Sequence, residues 1–331
     1  MSKLKLTFAC GPYDRMEALQ YHRIEVEGID LNYLEIQAPR EIFDRMVGDR
    51  AFDMSELSLA EHVGMTAKGN SPFVALPVFP SKAFRHGFIC INRDSGIREP
   101  KDLAGKRIGV PLYTITAAIW IRGDLENVYG VDLSGVQWVQ GAVEKAGTHG
   151  KPPAPPKLLK PVDIVQNTSD KSLSDMLRDG EIDALIGSRL PDSIRTDPDK
   201  VTTLFENPRD EEKRYFRETG IHPIMHTVAI QREIYEANRW IATSLFKAFL
   251  EARQWALDKM YFSAAQRYML PWLFDDLLEV DEYFGTKLWA YGVEDNRATL
   301  ETFVNYMVQQ HFIEKPVPVD DLFVPIHGRI E

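Results

Sequence analysis

The chain has 331 residues, room for two domains of ordinary size, and its 44% hydrophobic and 27% charged content is that of a globular protein. Thirty-nine Lys and Arg against 49 Asp and Glu leave a net charge of −10 with no basic stripe, so nucleic acid is not the expected partner and an anionic ligand must be held by local arginines. Only Cys10 and Cys90 are present, which excludes a disulfide framework and a cysteine zinc site, and no run approaches the roughly 20 apolar residues that cross a bilayer.

Lys3 to Cys10 alternates charged and apolar residues and reads as a first strand, ended by the turn pair Gly11-Pro12. Its apolar part is too short for the core of an export signal, and the chain is therefore expected in the cytoplasm. Asp30 to Ile36 alternates with period two and reads as a second strand. Pro39 opens a helix in which Ile42/Met46 and Phe43/Val47 stand four apart. A short strand is expected at Phe52–Met54, and Ser58-Leu-Ala-Glu61 fits a capping box that starts a helix at Ala60.

A second set of elements opens with the apolar run Gly87–Asn92. Lys106–Pro111 reads as a strand, the stretch after Thr114 as a helix to about Tyr129, and 141–161, rich in Gly, Pro and Lys, as a surface loop. Leu173, Met176 and Leu177 mark a helix closed by Gly180, and Ala184–Gly187 a strand. The C-terminal third is helical: Ile241, Leu245, Ala248, Ala252 and Trp255 form one stripe, and further helices fall near Leu277–Leu288 and Arg297–Gln310. This alternation defines an α/β fold of two discontinuous lobes, with 1–88 and 227–331 forming the first and 89–226 the second. The chain would cross near Phe88–Asn92 and Ile224–Ile230, with a ligand cleft between the lobes at the carboxyl ends of the strands.

Seven segments carry a resemblance: Gly11-Pro-Tyr-Asp-Arg15, Asp53-Met-Ser-Glu-Leu-Ser58, Phe79-Pro-Ser-Lys-Ala-Phe-Arg85-His86, Asp102-Leu-Ala-Gly-Lys-Arg-Ile-Gly-Val-Pro111, Thr116-Ala-Ala-Ile-Trp-Ile-Arg122-Gly123, Gly180-Glu-Ile-Asp-Ala-Leu185 and Thr219-Gly-Ile-His-Pro-Ile-Met-His226. With Leu270-Pro-Trp272 and Trp289-Ala-Tyr-Gly292 they run nearly end to end, and as a set they resemble the 4,5-dihydroxyphthalate decarboxylase family. The resemblance implies the two-lobed type II periplasmic-binding-protein fold. It also implies removal of one carboxylate from 4,5-dihydroxyphthalate, giving protocatechuate, with no organic cofactor. Segment 188–191 and the stretch from Gly141 to Lys145 depart from the family pattern, which bears on the substrate contacts of the second lobe.

Loss of CO2 from an aromatic acid needs an electron sink, and a ring hydroxyl para to the departing carboxylate supplies one once the ring carbon is protonated. The protein must hold the retained carboxylate and deliver the proton. Arg15, Arg85, Arg122 and Arg189 are the candidate carboxylate binders, because a guanidinium fork matches a carboxylate in two bonds. Taken singly each is as readily a surface or structural charge, Arg122 above all, since it lies inside a helix. His86 and His226, at the two expected crossings, are candidate proton donors because imidazole titrates near neutrality; His222 is a further candidate contact. The bland alternative for each is a core histidine bonded to a carbonyl.

Glu56 follows the short strand and is a candidate base or hydroxyl ligand, with Ser55 beside it. Tyr13 and Asp14 lie in the turn after the first strand, where Asp14 would equally pair with Arg15. Thr114 and Thr116 precede a helix whose free N–H groups favour an anion. The histidines with Glu56 also permit a divalent metal, but only His222 and His226 are locally paired, so no metal is assigned. The expected partner is a small aromatic acid, with neither nucleic acid nor membrane. A homo-oligomer is left open, with no exposed stripe to mark an interface. The competing class is a solute-binding protein that delivers an aromatic acid to a transporter. Phosphate loops, nucleophile elbows and dinucleotide fingerprints are absent from the sequence, which removes NTPase, hydrolase and NAD-dependent readings.

Overall fold

The computed structural model describes residues 2–150, 152, 153 and 155–327. The chain divides into two compact units, one of Met1–Lys82, Ile224–Leu300 and Val317–Glu331, the other of Ala83–Pro223 and Glu301–Pro316.

The first unit begins β1 (Leu4–Cys10), α1 (Asp14–Gln20), β2 (Ile29–Glu35), α2 (Pro39–Asp49), β3 (Met54–Ser58), α3 (Leu59–Ala67) and β4 (Phe73–Leu76). The second holds β5 (Ile89–Asn92), β6 (Arg107–Val110), α4 (Thr116–Asn127), β7 (Gln137–Gln140), β8 (Ile164–Gln166), α5 (Leu173–Arg178), β9 (Ala184–Ile186), α6 (Ser193–Thr196), β10 (Val201–Thr203) and α7 (Pro208–Thr219). The chain then returns through β11 (His226–Gln231), α8 (Arg232–Ala237), α9 (Ile241–Tyr261) and α10 (Leu273–Phe284) to α11 (Arg297–Gln309). Among the described residues no helix is long and apolar enough to cross a membrane.

The first sheet has the order β2-β1-β3-β11-β4. β1 runs parallel to β2 and β3, while β11 runs antiparallel to β3 and β4. All five residues of β3 are buried, as a strand paired on both edges and covered on both faces requires. One face carries the cluster of Ala9, Leu57 and Ala229 with Ile42, Phe43 and Met46 of α2. On the other, Phe8 meets Phe249 of α9 edge-on. α2 starts with Pro39 in its first turn, where a missing N–H costs nothing.

Two local expectations shift here. The strand expected at Phe52–Met54 lies at Met54–Ser58, because β3 keeps its extended backbone as long as β11 pairs with it, up to Ser58 opposite His226. α3 therefore starts at Leu59 straight from the strand, and the expected capping box does not form: the helix has no side-chain cap bond at Ser58, and Glu61 turns to Arg40 at 2.6 Å.

The second sheet has the order β10-β5-β9-β6-β7-β8, with β6 to β9 parallel and β5 antiparallel to its neighbours. Between Gln140 and Ile164 the described residues form no regular element. α5 is capped by the Ser172–Asp175 box and followed by Gly180 at φ +75. α10 occupies Leu273–Phe284 rather than 277–288, because Gly285 at φ 52 ends it.

The borders of the units also differ from expectation. β5 pairs with β9 and β10, and Ala83 N–H already bonds to the Pro223 carbonyl, so the change falls after Lys82 rather than after residue 88. β11 belongs wholly to the first sheet, which moves the return to Ile224. Residues 301–316, expected in the first lobe, pack with the second unit. α4 is buried nearly all round, and Trp120 lies against Phe303 and Tyr306 of α11. Gly123 lets the Tyr306 ring approach where a methyl group would collide with it.

Candidate active site

A buried carboxylate–imidazole pair lies at the centre of the first sheet. Side chains of a strand alternate between faces, and residues directly opposite share one. β11 sets His226 opposite Ser58 and Val228 opposite Glu56, so His226 and Glu56 are diagonal neighbours on one face. The imidazole Nδ1 lies 2.5 Å from Glu56 Oε1. That oxygen also accepts from the Tyr13 hydroxyl at 2.6 Å. The other oxygen, Oε2, accepts from the Gly11 N–H at 3.1 Å and faces the Cys10 thiol at 3.6 Å.

The turn after β1 is built to bring these donors in. Tyr33 donates to the Gly11 carbonyl at 2.8 Å, and a Cβ on Gly11 would sit 2.8 Å from the Tyr13 ring, too close for any other residue without moving that ring. Tyr13 then forms the N-cap of α1. Glu56 is fully buried, and four donors fill its acceptor positions.

Burial alone would raise the Glu56 pKa, but the charge of His226 and the bonds from His226, Tyr13 and Gly11 outweigh it, and the carboxyl is held below its ordinary value. Burial and then the Glu56 charge push the Tyr13 hydroxyl and the Cys10 thiol upward, so both remain protonated donors. His226 is 17% exposed, with its ring edge-on to Phe43 at 4.9 Å. With Nδ1 on the carboxylate, Nε2 has no protein partner among the described residues.

Arg15 completes this wall. Its guanidinium lies 4.3 Å from the Tyr13 ring centre and 4.0 Å from that of Trp289. Nε and Nη2 both donate to the Pro80 carbonyl, and Nη1 reaches Asp14 at 2.9 Å. Asp14 is thus the partner of Arg15 within this wall. Trp289 holds φ 56, a left-handed backbone that a bulky residue adopts only under constraint, while its indole N–H bonds to the Phe79 carbonyl. Ser55 points to the other face of β3 from Glu56, its hydroxyl bonded to the Glu56 carbonyl at 2.9 Å.

The second unit holds the remaining candidates. His86 is 3% exposed, with the rings of Phe205, Tyr129 and Tyr215 against it, and neither ring nitrogen has a hydrogen-bond partner among the described residues. Burial lowers its pKa to about 4, so at neutral pH it is an uncharged imidazole. His222 stacks on Phe84 at 4.8 Å. Arg122 is buried, bonded to Gln310 and to the Tyr113 carbonyl at 2.9 Å each, 3.7 Å from the Tyr113 ring. Arg189 is 62% exposed and 3.9 Å from Glu144.

Arg85 is buried, over the Phe88 ring at 4.7 Å. Thr116 is the buried first residue of α4. Thr114 lines a cavity of about 400 Å³ with Tyr113, Gln140 and Gln166, at the carboxyl ends of β6, β7 and β8. Among the described residues no group of three or more His, Cys, Asp and Glu is arranged to hold a metal.

Sequence reasoning missed Cys10 and Trp289 as members of the site. Cys10 was read only for disulfide and metal chemistry, and it turns out to be a free buried thiol on the carboxylate. The segment from Trp289 to Gly292 was visible as a motif, but nothing local places it on Arg15.

Two α/β units, each built on one mixed sheet and exchanging the chain discontinuously, make this a periplasmic-binding-protein-like fold carrying a buried carboxylate–imidazole pair. The periplasmic aliphatic sulphonate-binding protein of Escherichia coli matches it with a TM-score of 0.56 over 97% of this chain and 98% of its own, at 13% identity, a likeness of fold alone. No protein-family model matches the chain. A 4,5-dihydroxyphthalate decarboxylase of Comamonas testosteroni is 38% identical over 304 residues, 92% of this chain and 91% of that protein. One of Pseudomonas putida is 41% identical over 220 residues, 66% of this chain and 83% of its own. The chain belongs to the 4,5-dihydroxyphthalate decarboxylase family.

Proposed function

We propose that the protein is a carboxy-lyase that converts 4,5-dihydroxyphthalate to protocatechuate and CO2, with His226 as proton donor. The observation that carries this reading is the Glu56–His226 pair: a buried carboxylate fixes Nδ1 and leaves Nε2 as the nitrogen that meets the substrate. Nε2–H of the imidazolium protonates the ring carbon that bears the departing carboxylate. The para hydroxyl releases its proton to solvent, from which it is later regained, and its oxygen becomes carbonyl-like. The C–C bond then breaks, its electrons restore the aromatic ring, CO2 leaves, and the oxygen regains a proton. Because the substrate's own oxygen holds the electrons, the reaction asks for no organic cofactor.

Glu56 does not act on substrate in this scheme. Its acceptor positions are filled by protein donors, and its lowered pKa keeps it ionised, so its part is to orient and stabilise the imidazolium. Arg15, fixed between two rings on the same wall, contributes positive potential toward the carboxylates. His86 is the weaker proton donor, since its ring is neutral at pH 7 and enclosed by aromatic side chains.

The test is incubation of the purified protein with 4,5-dihydroxyphthalate, following CO2 and protocatechuate, with and without a chelator. Turnover insensitive to the chelator is expected. Tight binding of the substrate with no CO2 released would replace this reading with that of a solute-binding protein.

A further inference from the structure

Six of the eleven large hydrophobic side chains exposed among the described residues fall within one short stretch of the first unit: Tyr261, Phe262, Met269, Leu270, Trp272 and Leu278. Trp272 is 71% exposed and Leu278 68%. Single exposed apolar residues are ordinary, but a cluster is not. At ~200 Å² for a large apolar residue, the six together expose about 800 Å². That exceeds the largest apolar patch of a typical monomer and matches what one partner contributes to an interface of standard size.

The six side chains belong to one surface, made of the end of α9, the irregular segment 262–272 and the outer face of α10. α10 turns Leu273 and Leu277 inward, which leaves Asp275, Leu278 and Glu282, three and four apart, on its outer face. The Tyr261 hydroxyl donates to Asp281 and ties the last turn of α9 to that helix. Within the connecting segment Gln266 donates to the Leu270 carbonyl, and Arg267 pairs with Glu17 of α1. Beside this ridge, Trp255, Lys259 and Phe262 line an open groove of about 570 Å³. A ridge and a groove on one face are what two copies need to interlock about a two-fold axis, where each surface meets itself.

Charge narrows the choice of partner. α10 carries five carboxylates and no cation, so an anionic lipid surface is repelled. Asp275 and Glu282 have no ion-pair partner among the described residues, and neither does Lys259, which lies 4.3 Å from the Trp255 ring centre. Asp258, at the edge of the groove, accepts from Gln254 at 2.8 Å. Unpaired charges of both signs thus flank the same apolar patch, and a two-fold axis would bring Lys259 of each copy to the acidic helix of the other.

We infer that this face is the interface between two copies of the chain, α10 of each seated against the Trp255–Phe262 groove of the other. The pairing stands whether or not the chain turns over an aromatic acid.

The test is the mass of the intact protein in solution, followed by sedimentation velocity from about 50 nM to 50 µM. The wild-type chain of 37.8 kDa should sediment as a dimer or a larger even-numbered assembly. Leu278→Asp and Trp272→Asp put a carboxylate into the apolar centre. Each should halve the mass, with a dissociation constant raised roughly thirtyfold or more, and keep the wild-type circular dichroism, since both positions face solvent in the single chain. Lys259→Glu should weaken the assembly about tenfold, and Asp275→Lys with Glu282→Lys in the same chain should restore it. Val165→Asp, at an exposed position of β8 in the second unit, should leave the mass unchanged. A wild-type monomer at ~50 µM overturns the proposal, as does wild-type association in both Leu278→Asp and Trp272→Asp. Dissociation by Val165→Asp but not by Leu278→Asp would put the contact on another face and overturn it equally. Should Trp272→Asp fold poorly, Leu278→Asp, on the outer face of a helix, carries the test with the charge exchange.

Discussion

Glu56→Gln is the most informative single substitution. The shape of the side chain is kept, but the four donors that converge on the carboxylate would meet an amide with one acceptor oxygen and one NH2 group. The least costly orientation keeps the oxygen toward Tyr13 and His226 and turns the NH2 toward the Gly11 N–H and the Cys10 thiol. That arrangement leaves one backbone donor unsatisfied, about 1–3 kcal/mol, and turns the charge-assisted bonds into neutral ones of roughly half the strength. A loss of about 2–5 kcal/mol in unfolding free energy follows, readable by urea denaturation at pH 7.

In turnover, the imidazolium of His226 loses its counter-charge, and kcat should fall by ~10²–10³ within the range a positioned general acid supplies, with KM changed little. Because the Glu56 carboxyl is held below its ordinary pKa, its stabilising contribution is complete above the usual glutamate value near ~4.3 and is lost as pH falls through its folded value. The stability gap between wild type and Glu56→Gln should therefore narrow below about pH 4. A Gln variant within about threefold of wild-type kcat, with an unchanged gap in acid, would refute the role assigned to the pair.

Tyr13→Phe removes one donor from the same carboxylate without creating a clash, and should cost about 1–2 kcal/mol of stability and a several-fold loss in kcat. His226→Ala should abolish most turnover, whereas His86→Phe should retain it; the reverse order, measured in one CO2-release assay, would exchange their roles. His86 is a histidine whose folded pKa is depressed, so the stability it permits is present above about pH 6.5 and declines as pH falls toward its folded value of about 4. Urea titrations at pH 7 and 5 should show His86→Phe losing less stability between the two than wild type does. Gly123→Ala should cost about 1–3 kcal/mol through collision with the Tyr306 ring, seen as a lowered Tm, and Tyr306→Leu should relieve part of that cost in the double variant.

Period-two and period-3.6 patterns located β1, β2, α2 and α9 to within a few residues, because alternation and helical stripes are local properties of a half-buried segment, whereas α1, β4, β7, β8, β10 and α7 went unread. They failed where tertiary pairing overrode the local signal. β3 reaches Ser58 only because β11 extends it, and α11 joins the second unit only because α4 offers an apolar face and a glycine to receive Tyr306. At the site, Glu56, Tyr13 and His226 were each picked out by residue type and by their place after a strand or near a crossing. What each does was not legible. Glu56, expected to touch substrate or act as a base, is saturated by protein donors, and Arg122 and His86 are buried among aromatic rings.

The amino-acid sequence by itself determined the α/β class, the two-part organisation and the family, since those depend on hydrophobic period, turn chemistry and motif order. Only the tertiary structure decided that a carboxylate of β3 and an imidazole of β11, far apart along the chain, share one hydrogen bond. It alone closed four donors from three segments around the Glu56 carboxylate. The reason is physical: the burial and bonding of a polar group depend on which other segments surround it, and that is set by strand register and helix packing rather than by neighbours in sequence.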